Sequence, residues 1–235
     1  QIKRILEVAT DYGFDNNLWH NYLTYFLITN ENPFSITCEK VGANDGSVNI
    51  FARNDFKVFY NLFHYDFSEI EEKLGIDCFS IISNYKAIVK KELMYNKNVS
   101  EKVRELSSRL ERTKNENEFF DEVTEFYKAF GVGMFGLNKA FRISSDEKDG
   151  LVFHPINNMD KVVLDDLIGY EIQKQKLVEN TENFVQGRKA NNALLFGDSG
   201  TGKSTSIKAI VNQYYDQGLR MIEIYKHQFK DLSNV

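Results

Sequence analysis

Eight consecutive residues, Gly197-Asp198-Ser199-Gly200-Thr201-Gly202-Lys203-Ser204, match the spacing G-x-x-x-x-G-K-[ST] at every defined position. These residue types in this order suit a polyphosphate. Glycines let successive backbone N–H groups turn inward around phosphate oxygens, the lysine reaches the β and γ phosphates, and the hydroxyl of Ser204 is placed to ligate Mg²⁺. The predicted ligand is a nucleoside triphosphate, ATP with Mg²⁺, contacted by Gly197 through Ser204 and the adjoining Thr205.

Such a loop works only between a buried strand and a helix whose first amides face the anion. Ala193-Leu194-Leu195-Phe196 is a short unbroken apolar run between Asn191-Asn192 and Gly197, which predicts a strand covered on both faces. Downstream, Lys203 to Gln217 carries Ile207, Ile210, Val211 and Tyr214 at three- and four-residue steps, one apolar face of a helix. Gly218 stands where a left-handed terminator belongs, and Leu219 to Tyr225 reads as the next strand. Together these predict a strand, loop, helix and strand joined as a parallel crossover.

Upstream, Leu164-Asp165-Asp166-Leu167-Ile168-Gly169-Tyr170-Glu171 precedes a helical pattern through Ile172, Leu177 and Phe184. This stretch resembles the segment that leads into the nucleotide site of AAA+ ATPases. Read together with Asn180-Thr181-Glu182-Asn183-Phe184, Asn191 to Leu195 and Gly218 to Glu223, the region from Leu164 to about Leu232 is similar to a family of bacterial AAA+-type ATP-binding proteins known as domain-of-unknown-function family 815. The resemblance implies an α/β P-loop NTPase module in which Lys203 takes phosphate, Ser204 takes Mg²⁺, and Ile168, Gly169 and Tyr170 lie near the adenine. Ordinary packing beneath a sheet is the competing account of Ile168 and Tyr170. A complete AAA+ site also needs an acidic Walker B strand, a polar sensor and usually an arginine from a neighbouring subunit. No run after Ser204 supplies them, and Gln1 and Val235 both read as cut ends, so the expectation is an incomplete module with unassigned catalytic residues, not itself an active hydrolase.

Two rival functions share the loop. A P-loop kinase would use it for phosphoryl transfer, although such enzymes usually place it near the start of the chain, and a nucleotide-sensing scaffold would hold ATP without turnover.

The rest of the chain predicts a mostly α-helical N-terminal domain over residues 1–143, a linker or extended arm over 144–160, with the polar Asp146, Glu147, Lys148 and Asp149 as linker and Leu151 to Ile156 as a short strand or extended arm, and the start of the AAA+ ATPase module over 161–235. Helical stripes appear at Leu18, Tyr22, Tyr25 and Phe26, at Phe51, Val58, Leu62 and Phe63, at Val103, Leu106 and Leu110, and from Phe119 to Phe130. Ser47 is the expected cap of the second of these helices, and Ser68 to Glu71 and Thr113 to Glu116 have capping-box spacing. Aromatic stripes without interleaved Lys and Arg read as core and not as stacking platforms for bases.

Composition bounds the partners. The net charge of -5 argues against a nucleic-acid-coating protein, and no apolar stretch is long enough for a membrane span. Cys38 and Cys78 form no C-x-x-C pair, and the four histidines have no metal-ligand spacing, which together suggest reduced thiols in the cytoplasm. A protein partner acting through the helical domain, and a homo-oligomer of the full-length protein, are the expected assemblies. Gly131-Val132-Gly133-Met134-Phe135-Gly136 also satisfies the dinucleotide fingerprint G-x-G-x-x-G, but it follows a helical pattern instead of a strand, so it reads as a turn that ends a helix.

Overall fold

Phenylalanine and tyrosine at helical spacing must bury their rings against one another, and over residues 1–137 they do so within one set of helices. The computed structural model describes residues 2–43, 46–87, 96–146, 150–157 and 159–234. The chain forms two compact units, 1–137 and 138–235.

Unit 1 contains α1 (Ile2–Tyr12), α2 (Leu18–Thr29), α3 (Pro33–Val41), α4 (Ser47–Phe63), α5 (Ser68–Leu74), α6 (Cys78–Ser83), α7 (Lys97–Leu110), α8 (Glu116–Phe130) and α9 (Gly133–Leu137). Helix α7 buries the expected Val103, Leu106 and Leu110 and adds Val99, with Asn96 capping its start through Val99 N–H. In α8, Phe119, Phe120, Val123, Phe126 and Tyr127 are buried. The rings meet edge to face: Phe56 and Phe120 at 5.1 Å and 77°, Phe63 and Phe119 at 5.5 Å and 69°. Tyr127 donates its hydroxyl to Leu27 O at 2.7 Å, so the one polar atom on this buried ring is satisfied, and burial pushes its ionisation up.

Several local expectations shift. Helix α4 buries Phe63 of the predicted stripe, but with Ala52 and Phe56 in place of its other members: Phe51 is 73% exposed, and Val58 and Leu62 are also exposed. Both stripes have helical spacing; the aromatic face of α8 selects the one carrying Phe56. Helix α2 turns Phe26 outward and buries Leu23, Thr24, Leu27 and Ile28 instead, because α1, α4, α6, α7, α8 and α9 all pack on it. Gly46 and not Ser47 caps α4. Neither predicted capping box forms. Asn115 caps α8 by accepting from Asn117 N and Glu118 N, and Glu71 accepts from Phe79 N and Ser80 N at the start of α6. In both cases a stronger acceptor lies within reach of the orphan amides.

Unit 2 contains β1 (Ala140–Asp146), β2 (Gly150–Pro155), α10 (Glu171–Val185), α11 (Lys203–Tyr214) and β3 (Met221–Glu223), with 3₁₀ turns at Leu164–Asp166, Tyr215–Gln217 and Lys226–Asn234. The sheet order is β2-β1-β3. β1 and β2 form an antiparallel hairpin in register from Phe141 opposite Pro155 to Asp146 opposite Gly150, and β3 joins β1 in parallel with Ala140 opposite Met221. The protein is therefore mostly helical with a small mixed sheet.

Within residues 144–160, β2 falls on the segment expected as a short strand or extended arm, whereas the expected linker carries the end of β1; Glu147, Lys148 and Asp149 lie outside the described residues. Alternation explains the pairing: Phe141 and Ile143 are buried and Arg142 is exposed, as a strand with one inner face requires. The expected strand at Ala193 to Phe196 is absent. Leu194 is 86% exposed and Phe196 87%, and neither β1 nor β3 pairs with this segment, so its backbone has no ladder to join. The predicted strand Leu219 to Tyr225 is realised only at Met221–Glu223, beside β1.

Helix α11 starts at Lys203 as predicted and buries Ala209, Ile210, Val211 and Tyr214. Its C-terminal continuation stops at Gly218, whose φ of 94° suits a residue without a side chain. Two small cores flank it, one with Leu164 and Tyr214, the other with Ala140, Met159 and Val211.

Candidate functional site

Loop 197–202 reverses the chain into α11 through three left-handed glycines, with φ of 141° at Gly197, 81° at Gly200 and 80° at Gly202. Only glycine holds such a run without strain. Gly202 has a second constraint, because a methyl group on it would stand 2.7 Å from Leu167 Cδ2. The loop thus rests directly on the segment that leads to Ile168, Gly169 and Tyr170.

The lysine is held over the loop. Lys203 Nζ donates to Gly197 O at 3.0 Å, to Asp198 O at 2.5 Å and to Thr201 Oγ1 at 3.3 Å, while Thr201 Oγ1 donates to Asp198 O at 2.8 Å. A cation bound by carbonyls at the N-terminus of a 12-residue helix concentrates positive potential there. Ser206 closes the first turn by donating its amide and its hydroxyl to Gly202 O. Ser204, next to the lysine, presents an exposed hydroxyl.

A cavity of ≈ 400 Å³ adjoins this loop. Thr201, Lys203 and Ser206 line it on one side, and α10 supplies Gln173, Lys174, Lys176 and Leu177 on another. Tyr170, Leu167 and the segment from Ala193 to Phe196 complete the lining. A largely apolar wall with a few cations and amides suits a ligand that is flat and apolar at one end and anionic at the other.

The cavity is braced at three points. Asn180 and Asn191 exchange a reciprocal pair of hydrogen bonds, side chain to main chain, each 2.8 Å, which ties the segment before the loop to α10. Tyr214 on α11 donates to Glu182 on α10 at 2.9 Å. Lys174 donates to Leu167 O and pairs with Glu171, both at 2.9 Å. Behind the helix, Asn212 donates to Asp160 O and Val162 O, and Lys208 pairs with Asp160, so residues 160–162 are fastened to α11.

Thr201, Lys203 and Tyr170 therefore share one cavity, and the carbonyls of Gly197 and Asp198 reach it through the lysine. Ser204 and Thr205 begin α11 but are not among its lining residues, and Ile168 points away at 95% exposure. Packing beneath a sheet does not describe Ile168. Gly169 and Tyr170 both have left-handed backbones, φ 84° and 61°, and for tyrosine this is an uncommon conformation that costs on the order of 1 kcal/mol. Sequence reasoning missed the α10 wall, although Tyr170, Gln173, Lys174 and Leu177 follow the i, i+3, i+4, i+7 rule.

The second glycine motif does different work. Gly131 caps α8 at φ 83°, and Val132 N donates to Glu39 Oε2 at 3.2 Å, so a carboxylate of unit 1 sits on this turn. The element directly before it is the helix α8 and not a strand.

No helix among the described residues is long and apolar enough to cross a membrane, and no cluster of His, Cys, Asp or Glu among them could hold a metal ion. No curated protein and no solved structure matches the chain. Residues 137–235, which coincide with unit 2 to within one residue at its start, match the family described as "Protein of unknown function (DUF815)".

Proposed function

We propose that unit 2 is an α/β P-loop module of AAA+ type that binds Mg·ATP, and that the whole protein uses ATP binding and hydrolysis to change conformation against a protein partner engaged by unit 1. The observation that carries the reading is the shared cavity. The lysine of a complete G-x-x-x-x-G-K-[ST] loop and an aromatic residue from before α10, Tyr170, line one space large enough for a nucleotide.

In this reading the chain's own residues divide the task. Tyr170, Leu177 and Leu194 offer the apolar surface for a base, and the first amides of α11 with the Lys203 ammonium take the phosphates. Lys203 exchanges its bonds to Gly197 O and Asp198 O for phosphate oxygens, a trade between acceptors that leaves the ammonium in place. The exposed Ser204 hydroxyl fits a hard cation that prefers oxygen donors and would hold Mg²⁺, which when bound offsets charge on the β and γ phosphate oxygens.

Calorimetric titration of Mg·ATP into the protein and into its Lys203→Ala variant tests this. Loss of about tenfold to a hundredfold in affinity is expected for removing a charged hydrogen-bond donor. Unchanged affinity in a folded variant would refute the assignment. Phosphate release followed on the same samples separates turnover from simple holding.

A further inference from the structure

The two ends of the cavity differ in chemistry. Thr201 and Lys203 stand at the phosphate-loop end, whereas the α10 wall presents Tyr170 and Gln173 beside apolar Leu177. Of the polar side chains on the early turns of α10, Lys174 is committed to Leu167 O and Glu171, and Gln175 to Glu179, but the exposed Gln173 lines the cavity. Gln173 is the one carboxamide among the described residues that line it.

A carboxamide carries an acceptor and a donor side by side in one plane. Adenine presents the complement at N6 and N7, a donor beside an acceptor, and the glutamine–adenine pair is a recurrent bidentate match. Guanine presents O6 and N7, two acceptors, which sets the carboxamide oxygen against O6 and leaves it unpaired. Lys176, also on this wall, only donates: it can meet the N7 common to both purines or the O6 of guanine, and so gives adenine no advantage.

We infer that Gln173 is the base-specificity residue of this site, its Oε1 accepting from adenine N6–H and its Nε2 donating to N7, so that the cavity selects ATP over GTP. The inference rests on the nucleotide reading above and adds to it the residue that reads the nucleobase. Tyr170 supplies surface for either purine, so the preference is carried by Gln173.

The test is titration of Mg·ATP, Mg·GTP and inorganic tripolyphosphate into wild type, Gln173→Ala and Gln173→Leu, with circular dichroism and a thermal melt on each. Because Gln173 is exposed, both variants are expected to fold as wild type does. Wild type should prefer ATP by roughly fivefold to tenfold, the lower part of the range for a bidentate base contact. Both variants should bring that ratio close to one while tripolyphosphate affinity stays unchanged. An ATP/GTP ratio that neither variant moves, with tripolyphosphate still bound, overturns the inference alone. A preference for GTP in wild type also overturns it, since Lys176 would then be the reader. Failure of wild type to bind tripolyphosphate or either nucleotide removes the phosphate-loop reading and this inference with it.

Discussion

Two glycine-rich turns, one in each unit, look alike as strings and differ as structures. Gly131 caps the C-terminal end of α8 and Gly133 to Gly136 lie in the short α9, with the Val132 amide between them donating to Glu39. Gly197 to Gly202 begins a helix, so it stands at the positive end of α11 with a lysine held across it. In the first the anion is part of the protein; in the second the proposed anion comes from outside. The position of the leading glycine against a helix, which a glycine pattern does not encode, separates the two turns: Gly131 follows α8, whereas Gly202 precedes α11.

The contrast can be tested by substitution. The largest effect is expected for Gly136→Ala, whose methyl group would lie 2.4 Å from the backbone carbon of Gly131, a neighbour that cannot swing aside. Chemical denaturation should show a loss of about 3 kcal/mol. Wild-type stability in this variant would mean that the first turn is looser than described. Next, Gly202→Ala should cost about 1–2 kcal/mol through its left-handed backbone, with Leu167 obliged to move, and should weaken Mg·ATP binding more than it weakens the fold. A variant that bound ATP normally would separate loop shape from ligand capture and weaken the comparison. Glu39→Gln, read by the same denaturation, should lose about 1 kcal/mol because an exposed carboxylate–amide bond is modest, with ATP affinity unaffected. Last, Lys203→Ala should change stability by no more than other surface substitutions, about 0.5 kcal/mol, while Mg·ATP affinity falls by about tenfold to a hundredfold. A marked fall in stability would instead give Lys203 a structural role like that of Glu39.

Much of the α11 region was legible from type and spacing alone: its start at Lys203, its inner Ile210, Val211 and Tyr214, and its end at Gly218. These follow from local rules. That no strand forms before the loop was not legible, because an apolar run becomes a strand only where another backbone accepts it, and here neither β1 nor β3 pairs with Ala193 to Phe196. A short strand after residue 150 was legible, but its partner β1 was not, because the polar connection resembles a linker; the alternation of Phe141, Arg142 and Ile143 was the available signal. In α4 two apolar faces competed, and only the neighbouring Phe119 and Phe120 decide between them. In the cavity, the loop residues declared themselves through a motif, whereas Gln173 and Lys176 belong to the site only by virtue of how α10 is set against the loop.

The parallel pairing of β1 with β3 carries a kinetic consequence. It joins residues 140–142 to 221–223 and so encloses α10, the glycine loop and α11 within one closed stretch of roughly 80 residues. Closing a loop of that length costs about 4 kcal/mol of chain entropy by the logarithmic scaling, apart from its length-independent part. The reward arrives only when the distant strands meet, which places unit 2 among slower, high-contact-order topologies. A ligand bound inside the loop would hold the closed form by mass action. Refolding of unit 2 is thus the step at which nucleotide, if present, would first make itself felt.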